Sequence, residues 1–398
     1  MGASEIVARD LTEDEIIRVF ARPSPSPSPS SSTREALSSS LALSRPSFES
    51  LIVVPNGDDA AAWRTPAEEV SVLSTDTLVE DVHFSLAWDE PRRLGRKMIA
   101  VNLSDLAAMG ARPAYVFLSV CVPPALSYAR LVAIAKGVHE ICCEHGITVL
   151  GGNVTRAPTS LVLGATVVGY SRPERLIRRA GASLGDHIFV TGTLGAARAG
   201  LFCLQAGEPG RAPRLVDAQL DPTPRTEAGL RLAESGFVRA MCDLSDGLAT
   251  DLRRLLASAQ GSGQGSGQGS GQGDVHDLSQ ADVDPDEALR PDTGRDQGGK
   301  LGAVIDLASL PVSPELRAFA ARRGVSPYDE ALLGGEDYEL LFVVSPQDSP
   351  RVASLLSSIV SVAHVGVIDG TGVVSVQRDG NLRPLPNGAF SHFSGQSG

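Results

Sequence analysis

Apolar and polar positions come in blocks along this chain, and the blocks change period. "EVSVLSTD" (69–76) alternates with a period of two and predicts a strand ending in an acidic turn. Residues 91–111, "PRRLGRKMIAVNLSDLAAMGA", carry helical spacing: Leu94, Met98, Val101, Asp105 and Ala108 share a stripe, and Ile99, Leu103 and Leu106 fill much of the rest. "AYVFLSVCV" (114–122) predicts a strand, and 125–146 a helix stopped by Gly146. "ITVLGGN" (147–153) reads as a buried strand running into a Gly-Gly loop, and "LVLGATVVGYS" (161–171) as another strand. A second block starts near Ser183. Residues 186–205 predict strand, glycine turn and helix; 225–236 a helix; 238–259 strand, acidic turn and helix. Strands at 302–307, 339–345, 362–368 and 372–377 complete it. The class is α/β (α+β), with two similarly built halves.

Two stretches break the pattern. "RPSPSPSPSSSTREALSSS" (22–40) follows a short amphipathic helix at 11–21 and reads as a disordered linker. Three Gly-Ser-Gly-Gln tetrads from residue 261, with aperiodic acidic sequence behind them, read as a flexible insertion at about 260–299. The expected organisation is a helix and Pro/Ser-rich linker over 1–47, a first domain over 48–172, and a second domain over 173–398 that holds the insertion.

Composition narrows the chemistry. Of 398 residues 42% are hydrophobic, enough for two cores, and the net charge is −12. Lys and Arg form no basic face, which argues against nucleic acid. Five cysteines, an odd number without a C-x-x-C pair, argue against zinc and disulfides and for a reducing cytoplasm. No apolar run reaches the ~20 residues of a membrane span, and the N-terminus lacks the flank of a signal peptide.

The acidic segments carry the rest. Asp105 stands in a helix apolar over most of its circumference, so its carboxylate must be paired, protonated or metal-bound. A pair with Arg96 or Lys97 is the plain alternative. "NGDDAA" (56–61) offers Asp58 and Asp59, only one of which would face a site. Ser74, Thr75 and Asp76 gather three kinds of oxygen donor, and Asp243 and Asp246 flank a predicted helix start. Each could be a cap or Asx turn. Together they suit Mg²⁺, which prefers all-oxygen shells, and an acidic protein that handles polyphosphate needs such ions. No G-x-x-x-x-G-K-[ST] loop is present. "TGTLG" (191–195) reads as a packing turn, and "LGGNVTR" (150–156) as a place where a ligand approaches the backbone. His83 and Tyr338 read in isolation as a core-edge and a core residue, Cys142-Cys143 as packing, and Arg178-Arg179 as a solvated pair.

The strings "GDDAA", "STDTLVEDVHF", "KMIAVNLSDLAAMGARP", "GGNVTR", "VTGTLG", "DLSDGL" and "GGEDYEL", in that order, resemble the thiamine-monophosphate kinase family of the aminoimidazole ribonucleotide synthetase-like superfamily. The likeness spans about 50 to 393 outside the insertion. It implies an N-terminal domain that forms a β-barrel with a second copy in a homodimer, and a C-terminal α/β domain. It implies transfer of the γ-phosphoryl of ATP to thiamine monophosphate with several Mg²⁺ ions. The resemblance assigns Mg²⁺ to Asp59, Ser74, Thr75, Asp76, Asp105, Asn153, Asp243 and Asp246; ATP to Gly152, Asn153, Arg179 and Ser245; and thiamine phosphate to His83 and Glu336. Phe390 stands in for the tryptophan that the family often carries near that end to stack on thiamine, and Asn153 stands where the family often has Asp. Rival readings are another ATP-dependent enzyme of the superfamily, or an inactive Mg²⁺/nucleotide-binding scaffold. A selenophosphate synthetase would need an early reactive Cys, and the first here is Cys121. A hydrogenase-maturation relative would end in cysteine, and this sequence ends "FSGQSG".

Overall fold

The computed structural model describes residues 6–21, 48–55, 60–88, 90–261 and 300–385. Most of the expected linker and insertion, with Asp58, Asp59 and Phe390, lies outside the described residues.

The first half contains α1 (Glu13–Ala21), β1 (Ile52–Val54), β2 (Ala62–Trp63), β3 (Val70–Val79), α2 (Pro91–Ala108), β4 (Arg112–Val122), α3 (Tyr128–Glu144), β5 (Thr148–Arg156) and β6 (Val162–Ser171). Strands β3 to β6 form one sheet in the order β3-β6-β4-β5. Only the β4–β5 pair is parallel. One face of this sheet packs on α2 and α3 through Val72, Val116, Leu118, Val120, Leu163 and Val167. Part of the other face is closed by an aromatic group of Phe48, Trp63, Tyr115 and Tyr170. The remainder is open, with Leu73 61% exposed and Thr75, Thr77, Ser119 and Thr155 also exposed.

The second half contains β7 (His187–Thr191), α4 (Ala196–Gln205), α5 (Pro213–Leu220), α6 (Thr226–Ser235), β8 (Val238–Asp243), α7 (Leu248–Gly261), β9 (Gly302–Asp306), α8 (Pro314–Arg323), α9 (Pro327–Leu333), β10 (Leu340–Val344), α10 (Ser349–Leu356), β11 (Val362–Asp369), β12 (Val374–Arg378) and β13 (Asn381–Pro384). Its seven strands run β13-β12-β9-β11-β7-β10-β8.

Two local expectations are corrected. The Gly-Gly pair is not a loop: β5 runs through it to Arg156, paired with β4. Gly152 is needed because a Cβ there would overlap the Leu118 carbonyl. Four helices are missed by periodicity, α5, α8, α9 and α10, all with proline in the first turn; α8 and α9 each start at a Ser-Pro pair, where Ser313 or Ser326 caps the first turn and proline follows at N1.

Helix α2 is the hub. Pro91 opens it, and Gly110, at φ 64°, follows its end. It packs on the first sheet, on α3 and on α6 of the second half. The α2–α3 crossing is close because glycines face backbone: a Cβ on Gly95 would overlap the Ile134 carbonyl, and one on Gly137 the Arg92 carbonyl. Towards α6, Gly229 lies on the Ala107 carbonyl in the same way. Among the described residues no helix is long and apolar enough to cross a membrane.

Gly137→Ala is expected to push α3 off α2 and destabilise the protein by roughly 1–3 kcal/mol, the usual cost of overpacking. Thermal unfolding checks it, and an unchanged melting temperature would contradict the close approach.

Candidate active site

From Met98 to Ala108, Asp105 is the one residue of α2 that is not fully buried. It does not pair with Arg96 or Lys97. Arg96 binds Glu144 and Asp221, and Lys97 binds Glu336. Asp105 instead accepts the Ser74 hydroxyl of β3 at 2.5 Å. Asp76 stands beside it, with its backbone N–H held by Asn102 Oδ1 at 3.0 Å. From the second half, Asp243 at the end of β8 accepts the Ser104 hydroxyl at 2.8 Å. A strand of each sheet and the central helix therefore bring three carboxylates together, and no Lys or Arg among the described residues forms an ion pair with any of them.

The electrostatics fit that geometry. Burial, then the neighbouring Asp105 carboxylate, push Asp76 up to about 6. The same causes, in the same order, push the buried Asp243 up to about 7, against the Ser104 hydrogen bond. Asp251 of α7 adds another carboxylate near Asp243, held by the Asp246 N–H at 3.0 Å.

The segment 334–340 closes the site from the second half. It runs antiparallel to 243–247 beyond the β8–β10 ladder: Tyr338 N–H donates to the Leu244 carbonyl at 3.0 Å and Glu336 N–H to the Ser245 carbonyl at 2.8 Å. Glu336 (φ 64°) and Tyr338 (φ 50°) are both left-handed. Glu336 meets the buried Lys97 ammonium at 3.1 Å and the Gln219 amide at 2.6 Å. Asp337 accepts Gly195 N–H at 2.6 Å and caps α4. Glu339 takes Arg225 through two bonds of 2.6 Å and Thr191 at 2.6 Å. Beside Lys97 lies a recess lined by Phe84, Leu86, Trp88, Leu94 and Leu220.

The other expected residues are placed less simply. His83 Nδ1 accepts Val79 N–H at 3.1 Å, which turns the chain into the recess segment. The Thr75 hydroxyl bonds across the sheet to Ala165 and Thr166, away from the carboxylates. Asp246 is engaged by Arg254. Arg179 is exposed, and its charge acts on Asp243 and Asp251. Gly152 aligns with Asp76 only across two intervening strands, a span of about 14 Å. Val154 packs in the helix-side core, so alternation turns Asn153 to the open face, opposite Asp76. Within one chain Asn153 therefore does not join the carboxylates.

Carboxylate and hydroxyl oxygens are the donor set of a hard divalent cation rather than of zinc. Among the described residues, no group of three or more His, Cys, Asp or Glu closes on a point tightly enough to hold an ion unaided.

Comparison with known proteins gives the arrangement a setting. The family described as AIR synthase related protein, N-terminal domain, matches residues 57–171. The thiamine-monophosphate kinase of Escherichia coli (strain K12) is 34% identical, over 85% of this chain and 91% of that protein. The crystal structure of thiamine-monophosphate kinase from Stenotrophomonas maltophilia K279a is 33% identical, with a TM-score of 0.67, covering 83% of this chain and 92% of that one. AaThiL complexed with AMPPCP and TMP is 26% identical, with a TM-score of 0.65, covering 83% of this chain and 89% of that one.

A pH effect follows from Asp243. Its folded-state pKa, about 7, lies above its ordinary value of 3.8, so its contribution to stability is full in acid and is lost as pH rises through 7. Asp243→Asn keeps an acceptor for Ser104 and removes the repulsion. In metal-free buffer the variant is expected to melt higher than the parent at pH 8, and the gap is expected to narrow as pH falls below 7 and to close only near pH 4, where the ordinary value of 3.8 is reached. A variant less stable at pH 8 would contradict the like-charge account.

Proposed function

The chain belongs to the thiamine-monophosphate kinase family, and from that premise we propose that it transfers the γ-phosphoryl group of ATP to the phosphate of thiamine monophosphate, giving thiamine diphosphate and ADP. The observation that carries this reading is the meeting of Asp76, Asp105 and Asp243 from both halves, with no ion pair to Lys or Arg among the described residues.

The chemistry that Mg²⁺ would supply when bound is positive charge to offset that of the phosphates. Ser74, Asp76, Asp105 and Asp243 would hold it, with Asp59 from outside the described residues. The Ser74 and Ser104 hydroxyls keep the Asp105 and Asp243 carboxylates turned to the site. Asp246 joins only after release from Arg254, Thr75 lends its backbone rather than its hydroxyl, and Asn153 belongs with Gly152, Arg179 and Ser245 on the nucleotide side.

The acceptor is a phosphate monoester with a second pKa of about 6. It is mostly dianionic at neutral pH and needs no general base. Its oxygen attacks the γ-phosphorus in line while the bond to the bridging oxygen of ADP breaks, and catalysis is positioning and charge neutralisation. The recess lined by Phe84, Leu86, Trp88 and Lys97 is the proposed place of the acceptor; His83 adjoins Phe84 in sequence, and Glu336 pairs with Lys97.

The open face of the first sheet, with Leu73 61% exposed, supports a homodimer in which two such sheets close into a barrel. Five free thiols support a cytoplasmic location. The domain limits proposed are 48–172 and 173–398.

ADP release measured with and without thiamine monophosphate, and with free thiamine in its place, tests the reading. Release is expected to require the monophosphate and Mg²⁺ and to stop on adding EDTA. Release that ignores the monophosphate, or prefers free thiamine, would sink it. Asp105→Asn is expected to lower kcat by about 10²-fold or more, the scale of a lost transition-state charge contact. Trp88→Ala is expected to raise KM for the acceptor about tenfold with little change in kcat, as loss of uniform binding does.

A further inference from the structure

Gln219, on α5, is 1% exposed, at a place where an apolar residue would pack with no polar group to satisfy. Two parts of the residue are drawn to one spot. Its Nε2 donates to Glu336 Oε2 at 2.6 Å, and its backbone carbonyl accepts the Lys97 ammonium at 3.0 Å. Lys97 Nζ also meets Glu336 Oε1 at 3.1 Å, so the three residues close a ring. Each carboxylate oxygen of Glu336 is thereby held by a different donor.

The ring leaves a debt behind it. Gln219 Oε1 is buried and has no hydrogen-bond partner among the described residues, and a buried acceptor left unpaired destabilises a fold. Turning the amide over gives no relief. Oε1 would then face the Glu336 carboxylate, oxygen against oxygen, and Nε2 would be the orphan. The amide is therefore set by Glu336. Glu336 is held by its backbone as well, at φ 64° with its N–H on the Ser245 carbonyl, yet its side chain is still 26% exposed. Lys97 and Leu220, the residue after Gln219, both line the recess assigned to the acceptor. A carboxylate pinned at both oxygens and still accessible is prepared to be met in one orientation.

We propose that Gln219 is a positioning residue for acceptor binding: its amide, with the Lys97 ammonium, fixes the orientation in which the Glu336 carboxylate meets the acceptor. Gln219 itself touches neither substrate nor reacting atoms. A Glu336 fixed in advance spares the ordering of a free side chain when the acceptor binds. The benefit is the same in the bound state and in the transition state, so it falls on KM and not on kcat. This inference rests on the kinase reading above, with Glu336 on the acceptor side.

Gln219→Met and Gln219→Glu test it, by steady-state kinetics with each substrate varied in turn and by the melting temperature. Gln219→Met keeps the length of the side chain and removes the amide. Its KM for thiamine monophosphate is expected to rise about tenfold, with kcat, KM for ATP and melting temperature near those of the parent. Gln219→Glu sets a second carboxylate against Glu336. The two share a proton in acid and repel in base, so the ratio of its acceptor KM to the parent's is expected to rise with pH. An acceptor KM for Gln219→Met within twofold of the parent's overturns the proposal. So does a rise matched by a fall in kcat or in melting temperature, which assigns the residue to packing, and so does a Gln219→Glu ratio that stays flat with pH. A parent chain with no monophosphate-dependent ADP release overturns the kinase reading itself, a result separate from these.

Discussion

Like charges pressed together, with no ion pair to Lys or Arg among the described residues, set the terms for both halves of this molecule. Asp76, Asp105 and Asp243 come from a strand, a helix and a second strand, and two of them are pushed well above the ordinary carboxylate range. Such a site is unfavourable by itself and needs outside support. Ser74, Ser104 and Asn102 supply hydrogen bonds, and α2, locked by glycines against α3 and α6, supplies rigidity. A loosely packed α2 would let the carboxylates move apart and relax the repulsion between them.

The segment 334–340 shows the same economy of placement. Its three acids look interchangeable in sequence, yet each meets a different element. Glu336 crosses to Lys97 of the first half, Asp337 caps α4, and Glu339 clasps Arg225 at the start of α6. Anchors on three sides can hold two left-handed, non-glycine residues in sequence positions where an unanchored loop would relax. The Lys97–Glu336 pair also joins the halves across the site. Removing one partner of such a buried pair costs roughly 3–5 kcal/mol, because the other charge is stranded.

Much of this was legible beforehand. The strand over β3, the helix over α2 with its misplaced Asp105, and the Gly146 stop follow from local period and caps, and the motif order located the family. The Gly-Gly pair misled because a glycine forced by a neighbouring strand looks locally like a glycine at a turn; only Leu118 reveals the difference. Lys97, Ser104, Asp337 and Arg225 escaped because their partners lie between 114 and 239 positions away from them, and no local pattern encodes such pairings. For α8 and α9 the signal was present, in Ser313-Pro314 and Ser326-Pro327, and helical periodicity was too short to draw attention to it.

Charge state links the acceptor to the site. A phosphate monoester gains its second charge near pH 6, and Asp76 and Asp243 lose their protons at about 6 and about 7. Those two values belong to the metal-free protein, and a divalent cation at the carboxylates would lower both. A monoanionic acceptor would be a poor nucleophile, and near neutrality that obstacle lifts. A dianionic acceptor needs no general base, so proton transfer drops out of the list of tasks. What is left to the protein is distance and direction, and those depend on how firmly one apolar helix is held between two sheets.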